Sequence, residues 1–516
     1  MAAAYTTRPE PSDPFVEARE QAAGIERYLR SGDALGSSLS RLEEHVTAEG
    51  REWMRRMMQA HLDLRAAAEV RVPVQGADGV VRGQARPATS RPLRLLVGDV
   101  RASRIAYQAA GVPGLHPMDA ALQLPDEVYS YGVRRAVAVE VARSAYEDVQ
   151  DLLGRHLGFS LGKRQLEELA VRAAEDFDAF YAQRTVVAEP TCDLLILSFD
   201  GAGIIMRTED LRPATQKAAE QATQTLETRL SPGEKRNRKR MAEVAAIYTI
   251  APFQRTVMDV VHGLRPLHDT AAPRPQPTNK RVWASVTMDA RDVIREAFQE
   301  ALRRDPEQRR RWVVLVDGNP DQIRSVRRVG RALGVRVTIV LDLIHVLEYL
   351  WRAAHALHKD APEAAETWVT MCLIDLLSGR SGGFLARRLR RHAKDAGLTG
   401  DRRKGLDVCA RYLVKNTSLL HYDRALRDGL PIATGVIEGA CRYLVRDRLD
   451  RCGARWSLRG AEAVLRLRAL LTNGDFDAYW AFHLEREYHR VHQTRYAGGR
   501  APCPLPGPRP LLRRVK

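Results

Sequence analysis

An apolar run that ends in an acidic residue stands out in the pattern of hydrophobic and polar positions. Residues 194–199 are apolar almost without interruption, and Asp200 follows them. A run of this length without alternation predicts a strand buried on both faces, at the centre of a sheet flanked by helices. Trp312–Val316 repeats the pattern and is followed by Asp317. An unpaired carboxylate is costly to bury, so we expect both acids at the rim of the sheet.

The alternation of apolar runs and amphipathic segments over 191–342 predicts a mixed α/β sheet. We expect strands at 194–200, 203–207, 244–250, 312–316 and 335–341, with helices at 289–304 and 322–333. In this prediction 203–207 returns antiparallel to the first strand after a two-residue turn, and the proline-rich segment 266–279 is a loop. An antiparallel meander followed by βαβ crossovers is typical of an RNase H-like sheet.

Helical periodicity before and after this sheet completes the predicted organisation. The parts are an α-helical N-terminal region (1–73), a linker (74–92), a β-hairpin plus helix-turn-helix-like DNA-binding domain (93–186), the first part of an RNase H-like catalytic core (191–342), an all-α insertion (343–430), the C-terminal helices of the core (431–490) and a disordered basic tail (491–516).

Two predicted helices around a tight turn are candidates for a DNA-binding unit. They cover 145–157 and 162–181, and the second begins with Lys163-Arg164. A short glycine-containing turn before a basic helix start fits a helix-turn-helix with an exposed recognition end. An ordinary three-helix packing unit explains the same pattern, and the sequence leaves both alternatives open.

The charge of the chain points to a class of partner. The 516 residues include 81 Lys and Arg against 64 Asp and Glu, which gives a net charge of +17 and a pI of about 9.8. Such an excess favours a polyanion such as double-stranded DNA, because each neutralised phosphate releases counterions. A basic but inert surface is the alternative.

Cysteine usage and hydropathy exclude several other classes. The six cysteines are scattered with no Cys-x-x-Cys pair, which argues against a zinc ribbon and a disulfide framework. The N-terminus has no charged segment followed by an apolar core, and no apolar stretch reaches the roughly 18–20 residues of a membrane helix. We therefore expect a soluble cytoplasmic protein that is associated with the nucleoid when bound to DNA.

The two strand-end acids predict a metal site. The first and fourth strands of an RNase H-like sheet are parallel neighbours, so Asp200 and Asp317 should lie side by side. Hard oxygen ligands suit Mg²⁺ or Mn²⁺, and two such ions about 3.5–4 Å apart can activate a nucleophile at a phosphodiester. Asp-Gly is also a turn dipeptide, however, and either acid alone could close a turn.

A third carboxylate is expected from a helix predicted at 435–449. Glu438 lies near its start, and Arg442 and Arg446 follow one and two turns later on the same face. This arrangement could bind a metal ion and a DNA backbone together. A capping glutamate with Arg442 as its i+4 partner is the alternative.

Asp342 and His345 form a secondary candidate. Their spacing places both on one face of the helix that follows the fifth strand. His345 could approach the metal site or orient one of its ligands. A helix N-cap aspartate next to a half-buried histidine is the simpler alternative.

A series of motifs resembles bacterial insertion-sequence transposases of the ISKra type. In chain order the motifs are Leu115-His-Pro-Met-Asp119, Lys163-Arg164, Ser198-Phe-Asp-Gly-Ala-Gly-Ile204, Leu211-Arg-Pro-Ala-Thr215, Arg238-Lys-Arg-Met-Ala242, Val314-Leu-Val-Asp-Gly-Asn319, Gly435-Val-Ile-Glu-Gly-Ala-Cys441 and Gly453-Ala-Arg-Trp456. The resemblance covers about residues 90–475. It implies a DDE-type enzyme whose triad is Asp200, Asp317 and Glu438, and Asp342-x-x-His345 resembles a motif of related DDE transposases.

The resemblance also implies an activity and its partners. The N-terminal regions would bind the terminal inverted repeats of an insertion sequence, and the two-metal site would free a 3′-hydroxyl that attacks target DNA. Asp200 would bridge both ions, with Asp317 and Glu438 holding one each. A homo-oligomer is expected on DNA, and an inactive or domesticated relative acting as a repressor is the alternative. The candidate DNA contacts are Lys163, Arg164, Arg238, Lys239, Arg240, Arg442, Arg446 and Arg455.

Overall fold

The chain folds as two units, each described here from a computed structural model. The described residues are 13–186, 188–189, 191–220, 238–264, 274–359, 361–451 and 454–506. One unit combines Met1–Phe180 with Phe476–Lys516, and the other is Tyr181–Asp475. No helix in these described ranges is long and apolar enough to cross a membrane. Predictions for 1–12, 221–237, 265–273, Gly453 and 507–516 lie outside the described residues.

The chain contains helices and strands throughout both units. In chain order they are α1 (Val16–Leu29), α2 (Gly32–Leu35), α3 (Leu39–Ala67), β1 (Gln84–Leu95), β2 (Gly98–Ala109), β3 (Val112–Leu115), α4 (Pro117–Ala121), α5 (Tyr131–Arg143), α6 (Tyr146–Leu157), α7 (Lys163–Ala173), α8 (Phe177–Gln183), β4 (Leu194–Ile205), α9 (Pro213–Glu220), β5 (Lys239–Ile250), α10 (Val257–Gly263), β6 (Thr278–Ser285), α11 (Ala290–Arg304), β7 (Trp312–Val316), α12 (Pro320–Ala332), β8 (Val337–Leu341), α13 (Leu343–Leu357), α14 (Pro362–Leu377), α15 (Gly382–Asp395), α16 (Gly400–Lys415), α17 (Tyr422–Arg427), α18 (Gly435–Ala440), α19 (Asp447–Leu449), α20 (Leu458–Asn473) and α21 (Phe476–Val491).

The first unit contains a three-stranded antiparallel sheet of order β1-β2-β3. The predicted hairpin is present, but the linker prediction for 74–92 is wrong in its second half, because β1 already begins at Gln84. Pro92 lies inside β1 and pairs with Arg101. Because β1 is an edge strand of this sheet, the N–H that proline lacks is not needed for the sheet. Two residues later the backbone N of Arg94 donates on the outer side to the carbonyl of Val128 at 2.7 Å.

Both ends of the chain contribute to this first unit. The prediction placed α21 in the catalytic core, but α21 belongs to the first unit, where Arg134 of α5 donates to Glu487 at 2.7 Å. The described part of the predicted disordered tail, residues 491–506, is folded, and Tyr496 within it is buried against Ile105 and Leu115. An ion pair between residues so distant in sequence produces no periodic pattern. The sequence therefore did not predict that α21 belongs to the first unit.

The second unit contains a five-stranded mixed sheet of order β6-β5-β4-β7-β8. β4 pairs antiparallel with β5 and parallel with β7, and β8 extends the parallel side. β4 is therefore the central strand, as its apolar run predicts, and Leu195, Ile196 and Leu197 are fully buried. Helices α13 to α17 follow β8 within the predicted insertion.

The prediction has five strands, but one of them is wrong and one strand of the structure is not among them. β4 continues without a turn to Ile205, so the antiparallel return at 203–207 is wrong. The second strand is β5, and the third is β6, which begins within the predicted loop. Gly203 does not form a turn. Its lack of a side chain allows close packing against β5, because a Cβ there would lie 2.8 Å from Lys239 Cδ. The sequence pattern did not predict β6, because the first residues of this strand are polar and prolines precede it.

Two predicted helices are interrupted in the structure. The helix expected at 162–181 ends at Ala173, and α8 begins separately at Phe177. The helix expected at 435–449 consists of α18, a π-helix at Cys441–Arg446 and α19. A π-helical segment changes which residues share a face, since its hydrogen bonds join residues i and i+5.

Candidate active site

Asp200 and Asp317 stand at equivalent positions on neighbouring parallel strands. The ladder between β4 and β7 ends where Ser198 pairs with Leu315, and Asp200 and Asp317 each follow two residues later. Paired residues of neighbouring strands point to the same face, and the strands lie about 4.8 Å apart. Both side chains are half-buried. The structure thus places the two acids at the neighbouring ends of two parallel strands, next to solvent.

The local hydrogen bonds of the two acids differ. Asp317 Oδ1 accepts from the backbone N of Asn319 at 2.8 Å, and Gly318 has a φ of +93°, so Asp317 does close a turn. Asp200 closes no turn, because β4 continues through it. Asp200 Oδ1 accepts from its neighbour's backbone N at 2.7 Å, and Oδ2 accepts from the Cys441 thiol at 3.3 Å.

Glu438 lies on the helix that contacts Asp200. Cys441 comes three residues after Glu438, on the same side of the helix, and its contact with Asp200 holds this segment against β4. Burial raises the pKa of Cys441, and the charges of Asp200 and Glu438 raise it further. Glu438 itself is exposed. Within the described part of the chain its carboxylate has neither a hydrogen bond nor an ion pair.

The arginines expected beside Glu438 do not pair with it. The Arg442 guanidinium lies 3.7 Å from Asp447, so the alternative of a Glu438–Arg442 ion pair is not what the structure shows. Arg442 and Arg446 are both exposed and both lie within the π-helix. Isolated π-helical turns inside α-helices occur frequently at functional sites.

The three acids do not form a closed metal cluster. Among the residues that the structure describes, no group of three or more His, Cys, Asp and Glu side chains could hold a metal ion. The pair of Asp200 and Asp317 nevertheless has the donor chemistry of a hard divalent cation site, with two half-buried carboxylates at neighbouring strand ends. The two aspartates therefore fit Mg²⁺ or Mn²⁺. Glu438 lies on the neighbouring helix but does not form a three-carboxylate group with them.

Asp342 caps a helix, which agrees with the simpler alternative for this residue. It is buried, and its Oδ1 accepts from the backbone N of Ile344 at 2.9 Å at the start of α13. His345 is half-exposed, with its Nδ1 3.9 Å from Asp342 Oδ2. Burial raises the pKa of Asp342, although the hydrogen bond from Thr434 opposes this shift.

Asp342 also connects β8 to the start of α18. Its Oδ2 accepts from the Thr434 hydroxyl, and Thr434 is the residue directly before α18. Beside this bond, the backbone N of Leu343 donates to the carbonyl of Ile432 at 2.8 Å. The segment that carries Glu438 is thus tied by two hydrogen bonds to the end of the parallel side of the sheet.

Glu243 is an acidic residue near the site that the sequence reasoning missed. It pairs in register with Gly201, one residue after Asp200, and is half-buried. Burial raises its pKa, and the charges of Asp200 and Asp317 contribute to the same shift. Strand alternation sends its side chain to the face opposite Asp200. The signal was present in the sequence as a single acid inside the apolar run of β5.

The predicted DNA contacts at the start of β5 are partly occupied by the protein itself. The Arg240 guanidinium donates to the carbonyls of Val286 at 2.9 Å and Asp210 at 3.2 Å. Lys239 Nζ lies 4.0 Å from Asp450. Arg238 is half-buried and Arg455 is exposed.

The candidate helix-turn-helix belongs to the first unit. α6 ends at Gly158 with a left-handed φ of +74°, and α7 begins at Lys163. Lys163 and Arg164 are exposed, with Glu147 and Glu168 as their respective ion-pair partners. This geometry agrees with a helix-turn-helix and with a plain three-helix unit, so the DNA-binding role of α7 stays a prediction.

Comparisons with known proteins show similarity to solved structures but no match in sequence. No family model matches the chain, and no curated protein matches it. Among solved structures, the chain is similar to a chain of the Drosophila P element transposase strand transfer complex, with 10% sequence identity and a TM-score of 0.23. The match covers 68% of this chain and 80% of that chain. At this TM-score it establishes neither a shared fold nor a family.

Proposed function

We propose that this chain is a DNA transposase of the DDE type, in which Asp200, Asp317 and Glu438 hold two divalent metal ions. The reaction would be hydrolysis of a phosphodiester at the ends of an insertion sequence, followed by strand transfer. One observation carries the proposal. The parallel ladder of β4 and β7 ends two residues before Asp200 and Asp317, and Asp200 accepts a hydrogen bond from Cys441, three residues after Glu438.

The strand order supports the same conclusion. Three antiparallel strands followed by two parallel ones, with the first strand central, is the arrangement expected of an RNase H-like sheet. Four of the motifs that resemble ISKra-type transposases fall on β4, the start of β5, the end of β7 and α18. These are the segments that surround the two aspartates or lead to Glu438.

The chain's own residues would act by position and charge. When bound, Mg²⁺ or Mn²⁺ would lower the pKa of a water and neutralise charge on the phosphodiester. Asp200 and Asp317 supply a pair of oxygens from a rigid sheet, which suits precise placement. Glu438 would join them through an inward shift of α18, and no ion pair among the described residues holds its carboxylate elsewhere. The exposed Arg442 and Arg446 would face the DNA backbone.

The test replaces each acid by its amide: Asp200→Asn, Asp317→Asn and Glu438→Gln. The substrate is DNA that carries both ends of the genomic element in which the gene lies, incubated with Mg²⁺. Because loss of an outer partner alone costs about 10–100-fold at metal sites, loss of a direct ligand should lower cleavage by at least about 100-fold. Binding of the same DNA, measured by gel shift, should persist.

Asp321→Asn is the matched control. Asp321 is an exposed acid in the first turn of α12, where it pairs with Arg324, and its amide should cleave like the unaltered protein. Full cleavage by all three active-site variants would refute the proposal. Specific binding of the ends without cleavage by the unaltered chain would instead favour the repressor alternative.

A further inference from the structure

The second unit contains a strongly basic helical hairpin, which lies between Asp317 and Glu438 in the sequence. Residues 382–415, which form α15 and α16, include ten Lys and Arg against three Asp. α15 buries an apolar stripe that includes Leu385, Leu389 and Ala393. Among the cations between these positions, Arg388 donates to Asp375 and Cys372 of α14. The others are exposed: Arg387, Arg390, Arg391 and Lys394.

A cavity of about 480 Å³ lies between the exposed sides of α15 and α16, and we call it the basic groove. Its lining consists of Arg390, Gly400, Arg403, Lys404, Asp407 and Arg411. Four of these six residues are cations, and all four are exposed. Arg403 lies 3.6 Å from Asp407. For Arg390, Lys404 and Arg411 the described residues provide no ion-pair partner.

Further cations extend the groove along α15. Arg387, Arg391 and Lys394 are exposed and follow the spacing of three and four residues that defines one helix face. Like charges four residues apart destabilise a helix by a few tenths of a kcal/mol per pair, and Arg387–Arg391 and Arg390–Lys394 have this spacing. An anion that spans the face would remove this repulsion.

The start of α16 gives a second, independent indication of an anionic partner. The first turn of this 16-residue helix contains Arg402 and Arg403 beside the single acid Asp401, and Lys404 follows directly. Cations thus exceed acids at the end where the helix dipole favours negative charge. A phosphate group there would meet both the cations and the free backbone N–H groups of the first turn. The arrangement is unfavourable for a helix alone and favourable for a helix with a bound phosphate.

We propose that the basic groove binds the phosphate backbone of double-stranded DNA. This inference rests on the proposed function, since it assigns a part of the DNA contact to the all-α insertion. α15 has 14 residues and is therefore about 21 Å long, enough to follow several phosphates of a duplex that carries one charge per about 1.7 Å of axis. The lining contains no aromatic residue, whereas single-strand binding sites stack bases on aromatic rings.

The test compares Arg390→Glu combined with Lys404→Glu against the unaltered full chain. Binding of a fluorescent mixed-sequence duplex of roughly 40 base pairs is followed by anisotropy over a range of KCl concentrations, with EDTA present. We expect at least about tenfold weaker binding near 0.15 M salt. The slope of log K against log [KCl] should become shallower by about two, or about 0.9 for each lost phosphate contact.

The matched control is Arg424→Glu combined with Arg427→Glu on α17. Both arginines are exposed, and neither lines the groove, so the net charge changes equally. The neutral pair Arg390→Gln with Lys404→Gln should give an intermediate loss, and circular dichroism should show each variant folded. Equal losses in the groove and control variants would overturn the proposal, as would unchanged binding or a loss confined to single-stranded DNA.

The outcomes separate this inference from the proposed function. If the unaltered chain cleaves DNA and the groove variant binds DNA normally, only the groove assignment fails. If the groove variant loses affinity while the unaltered chain cleaves no DNA, the groove stands and the catalytic proposal fails. Absence of any DNA binding by the unaltered chain would overturn both.

Discussion

At the scale of single residues, the contact between Cys441 and Asp200 holds the two halves of the candidate site together. Cys441 is buried, and burial together with the charge of Asp200 raises its thiol pKa, so the sulfur stays protonated and donates. This hydrogen bond occupies one oxygen of Asp200 at 3.3 Å. It therefore sets both the orientation of the carboxylate and the distance of the π-helix from β4. We regard Cys441 as a positioning residue.

Replacing Cys441 by valine should weaken metal binding without affecting DNA binding. Valine keeps the apolar volume but removes the donor to Asp200 Oδ2. We expect the Mg²⁺ concentration for half-maximal cleavage to rise by about tenfold, as is typical when an outer partner of a metal ligand is lost. Cys441→Ser retains a donor and should stay near the unaltered value. An equal Mg²⁺ requirement in both variants would show that the thiol has no positioning role.

At the scale of secondary-structure elements, the chain before α18 is attached to the end of β8. Thr434 donates its hydroxyl to the buried Asp342, which also caps α13. One carboxylate thus couples two helix starts to the rim at which β8 ends. The sequence interpretation of Asp342 as a helix cap agrees with this, but the bond to Thr434 joins residues 92 positions apart and has no sequence signal.

Thr434→Val should loosen α18 while leaving DNA affinity unchanged. It removes the hydroxyl and leaves one oxygen of a buried carboxylate without its donor, at a cost of about 1–3 kcal/mol. We expect amide hydrogens of α18 to exchange faster and kcat for cleavage to fall by about tenfold, with KM for DNA unchanged. Thr434→Ser should restore both properties. Thr367→Val, at an exposed site on α14, is the control, and unaltered exchange in Thr434→Val would contradict the attachment.

At the scale of the whole molecule, the first unit is assembled from the two ends of the chain. Asp176, just before α8, is buried, and its carboxylate contacts His483 Nδ1 at 2.8 Å, Arg490 at 2.8 Å and Arg486 at 3.1 Å, all on α21. Burial alone would raise the pKa of Asp176, but the hydrogen bonds from His483 and Arg490 outweigh burial and lower it. The C-terminal helix is thus part of the N-terminal unit's core.

The Asp176 cluster predicts a pH-dependent stability of the first unit. Because the folded pKa of Asp176 is lowered, its contribution is present above the ordinary value of 3.8 and is lost as the pH falls through the folded pKa. Asp176→Asn should lower the free energy of unfolding by about 2–3 kcal/mol at neutral pH, and by much less near pH 3. Urea denaturation at both pH values measures this difference. Glu485→Gln, exposed on the same helix, is the control, and a pH-independent loss in Asp176→Asn would contradict the charge-based account.

Much of the candidate site was predictable from local pattern, because its chemistry lies at the ends of apolar runs. The continuous apolar stretch of β4 required a central strand, and β7 repeated the signal with Asp317 at its end. Glu438 alone is a weak signal, because a single glutamate near a helix start is common. Its role beside the two aspartates stays a prediction. Glu243 was harder to predict, because an isolated acid in an apolar strand is distinguished only by its neighbours across the sheet.

By itself, the sequence determined the class of the sheet, the central strand, the two strand-end aspartates and the basic charge, because burial and periodicity act on neighbouring residues. Tertiary structure alone decided the rest. β6 and β1 are edge strands with polar residues or prolines, and they become strands only because β5 and β2 offer them hydrogen bonds. The contacts of Cys441 with Asp200 and of α21 with Asp176 join distant residues, and only packing of the folded chain selects such partners.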